Sequence, residues 1–153
     1  PPRPSSRRQR IRRRAFDTQL GVFMITEDEL KKGRDILAEM GREDSLHEQE
    51  DMYDDMYELS LGYLWGQIWQ RPHLSLRDRQ IITLAANIAL ARPSGTHSHY
   101  RSAHKVGLSH EEICEIMIHV GMYAGWPTMA HANRQYREVL AEDRAKAETG
   151  GKE

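Results

Sequence analysis

Two segments of the chain are apolar on almost every side if they form helices, and they limit the fold more than any other feature. Segments 81–91 and 113–124 each contain only two strongly polar side chains. A helix of this kind must be covered all round. The rest of the chain supplies four further predicted helices, too few to cover both. We therefore expect these two helices to be buried between subunits of a homo-oligomer. A monomer with an apolar pocket is the alternative.

Helix start and stop signals divide the chain into about six helices. Thr26 and Glu29 form a capping box, as do Ser109 and Glu112, and Ser75 is a third N-cap. The predicted helices span about 27–40, 50–69, 76–91, 96–106, 110–124 and 127–142. The second should bury an apolar side made of Met52, Met56, Leu59, Tyr63 and Leu64. Sustained period-two alternation, the pattern of strands, does not occur, so we predict an all-α fold.

Length and composition indicate one ordinary globular domain. The chain has 153 residues, 39% of them hydrophobic and 29% charged. Its single cysteine excludes an internal disulfide framework and a redox CxxC pair. Apolar runs are too short for a membrane helix and the start lacks the apolar core of a secretory signal, so a cytoplasmic location is expected.

The N-terminal segment 1–14 carries seven arginines and no acidic residue. Such a block does not fold alone and could be an arm that binds nucleic acid. Because the rest of the chain is acidic, we favour an extension without that role. The predicted layout is a basic extension over 1–23, a helical domain over 24–145 and a polar tail over 146–153.

The stretch RPSGTHSHYRSAHKVG contains three closely spaced histidines. His97 and His99 lie about 200° apart around a helix, so both can bind one metal ion only if that helix is absent. His99 shares a face with apolar residues and should point inward, whereas His97 and His104 should be solvated. No recognisable zinc ligand set such as HExxH occurs, and no metal site is predicted.

A polar stripe interrupts each apolar helix. The two stripes consist of Gln80, Thr83 and Asn87, and of Glu115, His119 and Tyr123. The i, i+4 spacing would let Glu115 hydrogen-bond the His119 imidazole and fix its tautomer. If His99 and His119 both point inward, they are candidates for proton transfer. Hydrogen-bonded core histidines are the alternative. Cys114 should pack as a small apolar residue.

Two longer segments resemble the carboxymuconolactone decarboxylase family. They are GQIWQRPHLSLRDRQIITLAANIALARP and GLSHEEICEIMIHVGMYAGWP, with His99 eight residues before Gly107. The similarity covers about residues 28–142 and is strongest over 69–79 and 119–127. It implies an alkylhydroperoxidase-D-like helical domain that assembles as a homo-oligomer, with a hexamer favoured.

The resemblance also implies cofactor-independent decarboxylation of a carboxylated butenolide such as 4-carboxymuconolactone. Loss of CO2 leaves a furanolate whose charge moves onto the lactone oxygen, so no pyridoxal or thiamine site is needed. From the chemistry that the resemblance implies, we expect catalysis by His99, His119, Glu115 and Tyr123, and substrate binding by Arg92, Gln80, Trp126 and Trp69. Which histidine returns the proton stays open.

The peroxidase branch of the same superfamily uses a CxxCxxxH motif. Its cysteine positions fall here on Arg92 and Gly95, and its relay glutamate falls on Gln80. Dithiol peroxidase chemistry needs both thiols, so that branch is excluded. This chain also has RPSGT where family members often have RPEEL, and Gln67 where an acidic residue is common. The alternative function is therefore action on, or binding of, a different small carboxylated or lactone compound.

Overall fold

A computed structural model of the protein describes residues 25–43, 54–93 and 95–150. Every regular element in these ranges is helical, as the sequence predicts. The helices are α1 (Glu27–Glu39), α2 (Asp54–Glu58), a π-helical segment (Leu59–Ile68) that continues α2, α3 (Leu76–Ala89), α4 (Thr96–Lys105), α5 (His110–Ala124) and α6 (Trp126–Gly150). Among them no helix is both long and apolar enough to cross a membrane.

The N-terminal half is a close-packed pair formed by α1 and the π-helical segment. A Cβ atom added at Gly33 would lie 2.1 Å from the Leu61 carbonyl oxygen, and one added at Gly66 would lie 2.1 Å from the Glu29 carbonyl oxygen. The two backbones therefore touch, which only glycine permits at these positions. The apolar core between them consists of Leu30, Ile36, Leu37, Met40, Leu61, Trp65 and Trp69.

The predicted apolar side of the second helix was wrong. The segment buries Leu61, Trp65 and Trp69. Met56, Leu59, Tyr63 and Leu64 are 39–50% exposed, and Met52 lies outside the described residues. The segment has the wider π winding, marked by the bond from the Trp69 amide to the Leu64 carbonyl oxygen five residues earlier, and its buried side is the one that faces α1.

Helices α3 to α6 form a second apolar core. It is built around Leu84 and Ile88 of α3, Tyr100 of α4, Ile113 of α5 and Tyr136 of α6, all at most 2% exposed. All three predicted N-caps are present: Thr26, Ser75 and Ser109 each accept from a backbone amide within the first turn. These caps confirm the start of α1, α3 and α5.

Two further expectations concern the end of the last helix and the covering of the two apolar helices. The last helix does not fade after residue 142, because α6 continues to Gly150 with an exposed C-terminal part. The two apolar helices are covered on one side only. Side chains about half exposed or more along this uncovered surface are Ile82 and Leu90 from α3 and its end, Ile118, Met122 and Tyr123 from α5, and Trp126 from α6.

Candidate functional site

The His99 imidazole lies where the two halves of the molecule meet. The side chain of Gln80 on α3 reaches across to α4, and its Nε2 donates to the His99 carbonyl oxygen at 2.7 Å and lies 3.5 Å from His99 Nδ1. The Trp65 ring stacks over the imidazole at a centroid distance of 6.4 Å. Arg42 Nη1 lies 3.2 Å from Nδ1 and 3.1 Å from Nε2. We call these four residues the His99 cluster.

The end of α1 directs Arg42 into this cluster. Gly41 adopts φ +64, and the amides of Gly41 and Arg42 donate to the carbonyl oxygens of Ala38 and Leu37 at 2.9 and 2.8 Å. This is a Schellman termination, in which a glycine takes the left-handed conformation and the following residue turns back over the helix. The Arg42 guanidinium then sits over the Trp65 ring, 5.1 Å from its centroid, a distance at which cation–π attraction operates.

The environment keeps His99 neutral. Burial, and then the positive charge of Arg42, lower the pKa of His99 from its usual value to about 3. A neutral imidazole has one nitrogen that donates and one that accepts, so His99 can act as a base or as a hydrogen-bonding group. The Oε1 atom of fully buried Gln80 has no hydrogen-bond partner in the described part of the chain. A buried polar atom without a partner lowers the stability of the fold, and such atoms are often found at functional sites.

His119 lies in a different place, in an open groove of about 330 Å³ between α3 and α5. Arg77, Glu112 and Glu115 form the polar part of its wall. The apolar lining consists of Ile81, Ala85, Leu108, Ile116 and Val120. Arg77 donates to the Glu112 carboxylate, which also caps α5, so a cation and an imidazole face the same groove.

The inward placement expected for Glu115, His119 and Tyr123 was wrong for the single chain. All three are exposed, Tyr123 by 84%. Within the described ranges no hydrogen bond joins Glu115 to His119, which instead contacts the Tyr123 ring at 5.2 Å between centroids. This polar stripe faces solvent because the opposite side of α5, with Ile113 and Met117, packs in the core.

The residues predicted to bind substrate do not lie together in the single chain either. Gln80 belongs to the His99 cluster, whereas Arg92 is exposed beyond α3 and its carbonyl oxygen accepts from Gln135 Nε2 at 2.9 Å. Trp126 is 70% exposed. Trp69 is buried, its ring 4.6 Å from that of Trp65, so it supports the cluster from behind.

The three histidines of THSHYRSAH differ as the helical spacing predicts. Only His99 enters the cluster. His97 is not simply solvated: its Nε2 pairs with the Glu138 carboxylate at 3.0 Å. His104 is exposed, as predicted, although its Nε2 lies 3.0 Å from the Tyr136 hydroxyl. In the described ranges, groups of three or more potential metal ligands do not occur.

Sequence reasoning missed Arg42 and Trp65. Arg42 lies 57 residues from His99 along the chain, just beyond the predicted end of the first helix. Gly41 was the available signal, because a helix-ending glycine implies a reversal of the chain. Trp65 was missed because an α-helical period places it off the predicted apolar side.

Comparisons with known proteins identify the family to which the chain belongs. The chain is 29% identical over 121 residues to the 4-carboxymuconolactone decarboxylase of Acinetobacter baylyi, covering 76% of this chain and 90% of that protein. It is 28% identical over 108 residues to the nitrosuccinic acid decarboxylase npaB of Metarhizium robertsii, covering 71% and 76%. The profile of the carboxymuconolactone decarboxylase family matches residues 54–138, a segment that includes the helices bearing Trp65, Gln80, His99 and His119. The chain belongs to the carboxymuconolactone decarboxylase family.

Proposed function

We propose that this protein is a cofactor-independent decarboxylase of a carboxylated butenolide such as 4-carboxymuconolactone. The observation that carries the proposal is the Arg42 guanidinium within 3.2 Å of a neutral, half-buried His99. This pair combines a fixed cation with a group able to move a proton, the two functions that the reaction requires of the protein.

The substrate supplies its own electron sink. The carboxylate that leaves as CO2 is conjugated through the ring to the lactone carbonyl, and the electron pair left behind spreads onto that oxygen. A cation aimed at the developing oxyanion stabilises the transition state more than the ground state, and losing such a donor typically costs about 3–4 kcal/mol. Arg42 is the proposed oxyanion or carboxylate partner, which adds a residue to the set inferred from the sequence.

His99 is the proposed proton carrier. It is neutral in the free protein, and a bound dianion within a few ångströms favours the charged imidazolium. Substrate binding would therefore load His99 with the proton that it delivers to carbon after CO2 leaves. Gln80, which holds the His99 backbone, would orient the ring.

The groove at His119 is the proposed second part of the site, completed by assembly. Ile118 and Met122 on the same helix as His119, and Trp126 at the start of α6, are exposed apolar side chains, and a neighbouring subunit of a hexamer would cover them. Covering would desolvate His119, Glu115 and Tyr123, the condition under which a proton-transfer group gains effect. Arg92 would likewise meet substrate only within the assembly.

One specific observation favours a second candidate substrate class. The relative named for nitrosuccinic acid acts on a compound whose nitro group can accept the electron pair released by loss of the neighbouring carboxylate. Nitro-substituted dicarboxylic acids therefore share the decisive property, an internal electron sink, with carboxylated butenolides.

The test is CO2 release from a panel of carboxylated butenolides, nitro dicarboxylic acids and simple dicarboxylates lacking a sink. Turnover of a butenolide supports the proposal, and turnover of nitro acids alone supports the second candidate. Turnover confined to the simple dicarboxylates, or absence of CO2 release from all three, would refute both.

A further inference from the structure

A second cluster of reactive side chains links α4, α5 and α6. Cys114 Sγ lies 3.7 Å from His110 Nε2, and His110 Nδ1 lies 3.0 Å from the Tyr136 hydroxyl. The same hydroxyl lies 3.0 Å from His104 Nε2, and His104 Nδ1 lies 3.1 Å from the Leu108 carbonyl oxygen. The decarboxylation proposed above uses none of these groups.

When each imidazole carries a single proton, the last acceptor determines the direction of every bond in this chain. A carbonyl oxygen only accepts, so His104 carries its proton on Nδ1 and its Nε2 accepts from the Tyr136 hydroxyl. The hydroxyl has no second proton, so it accepts from His110 Nδ1. His110 Nε2 is then unprotonated and faces the Cys114 thiol. A nucleophile, a base and an orienting group at hydrogen-bond distances are the arrangement that activates nucleophiles in proteins.

Packing holds the orienting group in place. Tyr136 is 1% exposed, and its ring stacks on His110 and His104 at centroid distances of 5.5 and 6.0 Å. Burial, followed by the charges of Cys114 and Glu111, raises the pKa of Tyr136 to about 12. The hydroxyl therefore stays protonated at neutral pH and keeps the His110 tautomer.

We propose that Cys114 and His110 form a base-assisted thiol site that reacts with low-molecular-weight disulfides. The thiol proton moves to His110 Nε2 while Sγ attacks one sulfur of the disulfide. The disulfide S–S bond breaks, an S–S bond to Sγ forms, and the leaving thiolate takes the proton from His110. The product is a mixed disulfide on Cys114, and no further oxidant is needed.

The electrostatics explain why the base is required. Burial, and then the negative charge of Glu111, raise the pKa of the Cys114 thiol. The thiolate, which is the attacking species, is therefore scarce at neutral pH unless a neighbouring base takes the proton. Because Cys114 is half-buried, small disulfides should react more readily than large ones.

The test follows the reaction of the full native chain with dithiobis(nitrobenzoate), which releases a coloured thiolate. Because the chain has one cysteine, the released colour reports Cys114 alone. We expect His110→Gln to slow the reaction at neutral pH by about tenfold or more, the scale of general-base assistance. Above the thiol pKa the two rates should converge. His97→Gln, which removes a histidine paired with Glu138 on another surface, should leave the rate unchanged.

A second variant separates base action from general disturbance of the packing. Tyr136→Phe keeps the ring but removes the hydroxyl, so it should slow the neutral reaction less than His110→Gln does, with helicity retained by circular dichroism. A His110→Gln rate equal to wild type throughout the pH range would overturn the proposal. So would a deficit that persists unchanged at high pH, because that result indicates altered access rather than a lost base.

Discussion

The two candidate histidines occupy opposite environments although both belong to helices of the same core. His99 is enclosed by residues from three other elements, and one of them, Arg42, carries a charge directed at it. His119 lies on an open groove among side chains that solvent reaches. The proposed site is therefore already shielded from water at His99 within one chain, whereas at His119 the proposal requires a partner subunit to exclude water.

The comparison leads to an order of expected effects. A group that a single chain already desolvates and orients should matter most, because electrostatic and proton-transfer effects are largest where water is excluded. A group that assembly must cover should matter less and should depend on the oligomeric state. The predictions below follow that order.

The largest loss is expected at the His99 cluster. His99→Ala should lower kcat/KM by about 10²–10⁴-fold, the range for general acid–base catalysis. Arg42→Gln should cost about 10²–10³-fold, as for loss of one oxyanion donor. Steady-state CO2 release measures both. His97→Ala is the matched control and should change turnover only slightly, because His97 lies on the opposite face of α4 and pairs with Glu138. A folded His99→Ala variant with wild-type kcat/KM would remove His99 from the mechanism.

A smaller loss is expected in the groove. His119→Ala should lower turnover by about 10²-fold, at the low end of the same range. Glu115→Gln should cost less, because it changes only the charge beside the imidazole. Both variants need the same oligomeric state as wild type for a valid comparison. If His119→Ala exceeds His99→Ala in its effect, the groove and not the enclosed cluster is the centre of the reaction.

The oligomeric state tests the proposal that a partner subunit covers the His119 groove. We expect light scattering to give several times the 17.8 kDa chain mass, with a hexamer favoured. Met122→Glu places a charge on a side chain that is 57% exposed and should dissociate the oligomer if that surface is an interface. Lys146→Glu on the exposed end of α6 is the control. A monodisperse wild-type monomer at micromolar concentration would leave the groove open and contradict the proposed second part of the site.

Acid should destabilise the protein through His99. The folded-state pKa is lowered to about 3 while an unfolded histidine titrates near 6.5, so the unfolded state binds the extra proton between these values. Stability should therefore fall as the pH falls from about 6.5 toward 3, by at most about 1.4 kcal/mol per pH unit. Urea unfolding at pH 6.5 and pH 5 measures this loss before most carboxylates titrate. His99→Gln should lose less stability over the interval, and equal losses would show that burial of His99 is not the cause.

The parts of the fold that the sequence predicts are those determined by neighbours along the chain. Capping at Thr26, Ser75 and Ser109 depends on residues three positions apart, and all three caps are present. The inward direction of His99 also follows from helical periodicity. The inward placement of His119 was wrong for the single chain, because a helix that is apolar on nearly all sides has two faces needing cover and periodicity does not distinguish a core from an uncovered surface.

The parts that the sequence does not predict depend on distant contacts or unusual winding. Arg42 reaches His99 across 57 residues, and no local pattern specifies such a partner. Leu61, Trp65 and Trp69 are buried because their side of the segment faces α1, whose backbone meets the segment at Gly33 and Gly66, and no local pattern specifies that contact.

The smallest effect is expected at Cys114, which sharpens the contrast between the decarboxylase site and the thiol site. Cys114→Ser should leave CO2 release unchanged, because its sulfur contacts His110 and neither His99 nor the lining of the His119 groove. Peroxide reduction with a dithiol donor should stay at background in both proteins, because a chain with a single cysteine cannot supply the two thiols that this chemistry needs. Peroxide turnover that disappears in Cys114→Ser would instead make the thiol a catalytic group and reverse the assignment to the branch without redox cysteines. A loss of CO2 release in a folded, assembled Cys114→Ser protein would indicate that α5 transmits changes from its first turns to His119, five residues further along the same helix.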